Sequence, residues 1–202
     1  MRPNYAQDAP PAEITVGGRA YPCQTDYRVW LDVVHRLRDI DPEPRTEEDV
    51  QETIQQIIEM ENVVFGGWLR DEDPGEALRA IAEFSRGYPS APVRPRQKDP
   101  VFSWEYDLNE IIIAIRNQSG IDLSYRRKEP FHWWEFLLEF RTLCGEHYIL
   151  NLMEIRGYSG KDPEMKRRKQ EFALPPEYTA KEKKENEAFL NMFRGEENSN
   201  ED

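Results

Sequence analysis

The chain has 202 residues and a mass of 23.9 kDa, the size of one compact domain or two very small ones. Thirty-nine Asp and Glu against 27 Lys and Arg give a formal charge of −12, which repels bare nucleic acid unless a local basic face overrides the total. No run approaches the roughly 20 apolar residues of a spanning helix, residues 1–11 lack the apolar core of a signal peptide, and Cys23 and Cys144 alone build no disulfide framework, so a reducing cytoplasm is expected.

Residues 1–12 are Pro-rich and are expected to be disordered. Ile14 and Val16 lead into Gly17-Gly18, and Tyr21 and Cys23 leave it, which reads as a β-hairpin with a two-residue turn; Pro22 makes its second arm an edge strand. From Thr25 the period becomes helical, with Tyr27, Trp30, Leu31, Val34 and Leu37 on one face. Asp41-Pro42-Glu43-Pro44 ends that helix, and Thr46 with Asp49 forms a capping-box pattern before Val50, Ile54, Ile57 and Ile58. Asp73-Pro74 opens a third helix carrying Leu78, Ile81 and Phe84.

Four prolines within residues 87–100 exclude a helix or central strand and mark an internal linker. Ser103 is a candidate cap for a helix bearing Trp104, Leu108, Ile111, Ile112 and Ile115, which ends near Gly120. Phe131 to Leu143 is apolar nearly all round and therefore needs cover on two sides. Ile149, Leu152, Met153 and Ile155 give a short helix, Asp162-Pro163 opens a charged one, and Thr179 with Glu182 opens a last one within residues 177–195. Residues 196–202 are acidic and are expected to be disordered. The expected architecture is mainly α: a small N-terminal hairpin followed by a bundle of short amphipathic helices, in a single domain over residues 13–176.

Catalytic chemistry has little to work with. His35 lies on the charged side of its helix, and His132, between Phe131 and Trp133, suits capping or packing better than proton transfer. Cys144 and His147 have a spacing zinc tolerates, but only Cys23 and His35 remain to complete four ligands, so no metal site is expected. Gly66-Gly67 followed by Trp68 lacks the lysine and hydroxyl of a phosphate loop, and no cofactor is expected. The basic clusters Arg126-Arg127-Lys128 and Lys166-Arg167-Arg168-Lys169 are flanked by Glu129, Glu164 and Glu171 and read as helix surface rather than as a nucleic-acid contact. The density of aromatics is more informative. Most should be core, while Phe131, Trp133, Trp134, Phe136 and Tyr158 are candidates to line a groove for a partner's apolar helix.

The blocks Asp26-Tyr27-Arg28-Val29-Trp30-Leu31, Phe102-Ser103-Trp104-Glu105-Tyr106-Asp107, Gly120-Ile121-Asp122-Leu123, Phe131-His132-Trp133-Trp134-Glu135-Phe136, Ile155-Arg156-Gly157-Tyr158 and Phe172-Ala173-Leu174-Pro175 follow one another over roughly residues 13–176. In order and spacing they resemble the gene-product-fifteen family of tailed bacteriophages and prophages. The resemblance implies a non-enzymatic tail-assembly chaperone of the host cytoplasm that coats the tape measure protein before tail-tube polymerisation. It names the tape measure protein as partner, with the major tail protein as a second, leaves homo-oligomerisation on the partner open, and brings no catalytic residue. The rival reading from the charge of −12 is an acidic interaction protein, a DNA mimic or host-factor inhibitor; a minor structural tail component is the third.

Overall fold

The computed structural model describes residues 8–41, 44–88 and 100–176. Among them the chain is mainly helical, with an antiparallel hairpin of β1 (Glu13–Val16) and β2 (Arg19–Pro22) ahead of seven helices. The helices are α1 (Tyr27–Asp39), α2 (Glu47–Phe65), α3 (Pro74–Phe84), α4 (Leu108–Ser119), α5 (Trp133–Arg141), α6 (Tyr148–Gly157) and α7 (Pro163–Glu171). The predicted helix at Thr179 and the acidic end at 196–202 lie outside the described residues, as do residues 89–99 of the predicted linker.

Local chemistry sets most boundaries. Gly17 and Gly18 have φ of 57° and 83°, the left-handed pair that a tight hairpin turn requires, and the pairing of Ile14 with Tyr21 turns Ile14 and Val16 inward. Asp26 caps α1 by accepting the Arg28 amide, the Thr46–Asp49 capping box opens α2, and Asp73 with Pro74 at the first helical position opens α3. The α2 helix runs past the predicted Ile58 to Phe65, where left-handed Gly66 stops it; its buried residues are Ile57, Met60, Glu61 and Val64, and Val50 is exposed.

Ser103 does not cap α4. Its amide donates to Asp107 Oδ2 at 2.9 Å and its hydroxyl accepts the Glu105 amide, so residues 103–107 form a turn and the helix starts at Leu108. The turn exists because Asp107 is already held elsewhere. Arg156 on α6 approaches it with Nη1 2.6 Å from Oδ2 and Nη2 3.2 Å from Oδ1, and both side chains are buried. The same guanidinium donates to the carbonyls of Val101 and Phe172, fastening the turn and the end of α7 to α6.

The α5 helix, apolar nearly all round, is the axis of the core. Trp30 of α1 stacks on Phe84 at 4.6 Å and on Trp133 at 6.4 Å, Tyr27 stacks on Phe136 at 4.8 Å, and Trp104 meets Trp133 and Phe140 edge-on. The indole N–H groups of Trp30, Trp133 and Trp134 donate to the carbonyls of Gln24, Ser85 and Phe84, so burying these rings leaves no donor unpaired. A backbone bridge joins the two capping segments: the Tyr27 amide donates to the Phe131 carbonyl and the Trp133 amide to that of Thr25. Tyr88, within the predicted linker, is buried edge-on against Trp134, and Arg141 donates to its carbonyl at 3.1 Å.

Candidate interaction surface

The five residues predicted to line a partner groove fall into two groups. Trp133, Trp134 and Phe136 are 1%, 7% and 0% exposed, and this corrects the expectation: they offer a partner no side-chain surface in this conformation. The reason lies in α5 itself, whose apolar faces are covered by α1 and α4, with Phe84 of α3 and Tyr88 over Trp134. Phe131 is half-buried under the Arg127 guanidinium, 5.1 Å from its ring centre, and Tyr158 is half-buried with its hydroxyl accepting the Asp162 amide at 3.0 Å.

The exposed aromatic side chains lie elsewhere. Trp68, in the loop between α2 and α3, is 44% exposed, with the Arg70 guanidinium 5.2 Å from its ring centre. Sequence reasoning passed over it as a failed phosphate loop. The available signal was its isolation: no amphipathic stripe claims a tryptophan that follows Gly66-Gly67 and precedes Arg70-Asp71-Glu72-Asp73. The loop is well fastened, since the amides of Arg70 and Glu72 donate to the carbonyls of Trp68 and Leu69 and Tyr21 donates its hydroxyl proton to Glu72.

Glu61 completes the fastening from below, accepting the Leu69 amide at 3.0 Å through Oε2, while its Oε1 is buried without a partner. Burial pushes its carboxyl above the usual range, opposed by the Leu69 hydrogen bond. A raised acid binds its proton more tightly folded than unfolded, so the stability it contributes is present below pH 4.5 and is lost as pH rises through the folded value. Glu61→Gln, which keeps the acceptor for Leu69 without the charge, is expected to raise the melting temperature at pH 8 and to leave it little changed near pH 4; thermal denaturation at the two pH values checks this.

Three other groups bear on chemistry. His132 accepts the Trp134 amide through Nδ1 at 3.0 Å, which places its proton on Nε2, 3.0 Å from the Pro11 carbonyl. Burial holds it below its ordinary value, so the neutral ring serves as the cap of α5 and a clasp on the chain before β1. Burial pushes the Cys23 thiol up to about 12, which leaves it protonated at neutral pH. His147 lines an open hollow of about 520 Å³ at the start of α6 with Tyr148, Asn151 and Glu154. Among the described residues no group of three or more His, Cys, Asp or Glu is arranged to hold a metal ion, and no helix is long and apolar enough to cross a membrane.

Tyr106 and Tyr148 are also exposed, and another exposed aromatic stands at the tip between α4 and α5. Tyr125 is 82% exposed, with the Arg126 guanidinium 5.7 Å from its ring centre, and Arg127 and Lys128 follow. The tip is tied to the start of α1, because Arg28 donates to the Arg127 carbonyl at 3.2 Å and Tyr27 donates its hydroxyl proton to that of Leu123.

Comparison with known proteins adds one match. The family model described as Bacteriophage Gp15 protein matches residues 7–179. Neither a curated protein nor a solved structure matches the chain.

Proposed function

Because the chain belongs to the Bacteriophage Gp15 protein family, we propose that it is a tail-assembly chaperone, which binds the tape measure protein in the host cytoplasm and keeps it dispersed until the tail tube polymerises around it. It does so without catalysis. The observation that carries the reading to this chain's own residues is Trp68, a tryptophan 44% exposed on a loop fixed by Glu61 and Glu72, while the aromatics of α5 are spent on the core.

A tape measure chain that is long, helical and apolar along one stripe associates with itself when free. A fixed indole pressed against that stripe supplies one apolar anchor per chaperone copy, and Arg70 beside it supplies a polar rim. One anchor is weak. Many copies along one chain hold it firmly in sum, and each leaves singly as tube subunits arrive. The charge of −12 keeps the loaded complexes apart.

Co-expression with the tape measure protein tests this. The expected result is a soluble complex on gel filtration, weakened by Trp68→Ala; tape measure protein that stays insoluble beside abundant soluble chain would end the reading. Mass spectrometry of purified particles separates the chaperone from a structural tail component, since a chaperone is left behind in the cell.

A further inference from the structure

We propose that the segment after α7 folds back along α6 of the same chain, laying Phe189 and Phe193 into the hollow at the start of α6 and Glu182 and Glu185 over the cations of α7. The contact stands independently of the function proposed above.

The body offers the segment two surfaces in order. The α7 helix buries no residue, and its Lys166, Arg167 and Arg168 make no salt bridge among the described residues. The hollow of about 520 Å³ has Tyr148, 54% exposed, and half-buried Leu150 in its lining, with Glu154 toward the α7 end. No Lys or Arg lines it. Arg156 Nε donates to the Phe172 carbonyl at 2.8 Å and Lys169 Nζ to the Tyr158 carbonyl at 3.4 Å, so the last turn of α7 and the exit of the chain both lie at the end of α6 away from the hollow. The 10 residues of α6 span about 15 Å. Cations therefore stand where the chain leaves the body, and an apolar seat stands one helix length further on.

The described residues end at 176, and the sequence beyond them carries the matching order. At helical spacing Glu182, Glu185, Phe189, Met192 and Phe193 share one face, acids first and apolar residues after. From the predicted helix start at Thr179 to Phe189 the rise is about 15 Å, which brings Phe189 level with Tyr148 when Glu182 and Glu185 lie over Arg167 and Arg168. Lys181 and Lys184, one turn apart on the flank of that face, come beside Glu154. Acid on cation and ring on ring are thus in register along the whole contact. A tether of a few residues holds the segment at about millimolar effective concentration, so weak contacts suffice to seat it. The family match ends at residue 179, and nearly all of the segment lies beyond it.

Disulfide trapping in the full chain tests this. Cys144 is exposed just before Gly145 of the hollow, while Cys23 is half-buried. Gly195→Cys places a further thiol just past Phe193 and Arg194. Under mild oxidation it should link to Cys144 within one chain, as peptide mass mapping reads, and adding Phe189→Asp with Phe193→Asp should slow the link about tenfold or more, since two anchors are lost. Arg167→Glu with Arg168→Glu should slow it too, and Glu182→Lys with Glu185→Lys added to that pair should restore it. Circular dichroism checks folding in each case. Amide exchange across residues 146–152 should be slower in the wild-type chain than in the chain carrying Phe189→Asp and Phe193→Asp. A link that forms equally fast with those two substitutions, or exchange that they leave unchanged, would overturn the proposal. A link between two chains would also overturn it, and would place the segment on a second copy.

Discussion

Asp107→Ala is expected to cost about 3–5 kcal/mol of stability, the largest single effect foreseen, because it leaves the Arg156 guanidinium buried without its counter-charge. The side chains of the pair are 5% and 10% exposed, so water cannot replace the missing carboxylate. The damage spreads along the fold. Asp107 Oδ2 also accepts the Ser103 amide, and Arg156 reaches the carbonyls of Val101 and Phe172, so loss of one carboxylate loosens the turn before α4 and the end of α7 together. For a chain of this length the melting temperature should fall by roughly 10 °C or more. Arg156→Leu should cost a similar amount, since it leaves the Asp107 carboxylate, 5% exposed, with the Ser103 amide as its remaining partner and takes the donors from the Val101 and Phe172 carbonyls. Thermal denaturation of the two variants and of Asp107→Leu with Arg156→Leu checks this: the double variant should be more stable than either single one, and a double variant as unstable as the sum of the two would contradict the account.

Trp133→Ala comes next, with an expected loss of about 3–5 kcal/mol from the cavity it opens among Trp30, Trp104 and Phe136. It also leaves the Ser85 carbonyl without its indole partner. The same substitution at Trp68 should change stability by no more than about 1 kcal/mol, because nearly half of that ring already faces water. The contrast separates two roles that composition alone could not. A core tryptophan fails in circular dichroism before any binding can be measured, whereas an anchoring tryptophan leaves the fold intact and loses the partner. If Trp133→Ala kept its melting temperature and lost only partner binding, α5 would be the interaction surface after all.

Element types were legible because they rest on local signals. The Gly17-Gly18 turn, the Thr46–Asp49 box, Asp73-Pro74 and Asp162-Pro163 each act over a few residues, and each stands where the sequence places it. The start of α4 was not legible. Ser103 and Asp107 are equally good caps by type, and the choice between them is made by Arg156, 49 residues away. The burial of Trp133, Trp134 and Phe136 was not legible for a related reason. A helix as apolar as Trp133–Arg141 suits either a deep core or a partner groove, and only the arrival of α1 and α4 on its two sides decides for the core. Trp68 shows the converse: its exposure depends on where Gly66 ends α2 and on what Glu61 grips, and neither is a periodic pattern.

The proposed grip acts through Trp68 with the core closed, and amide hydrogen exchange of the chain alone and bound to the tape measure protein tests that most directly. Exchange should slow across residues 66–73 on binding and stay unchanged within α5. Faster exchange in α5 on binding, or no change at Trp68 and its neighbours, would contradict it.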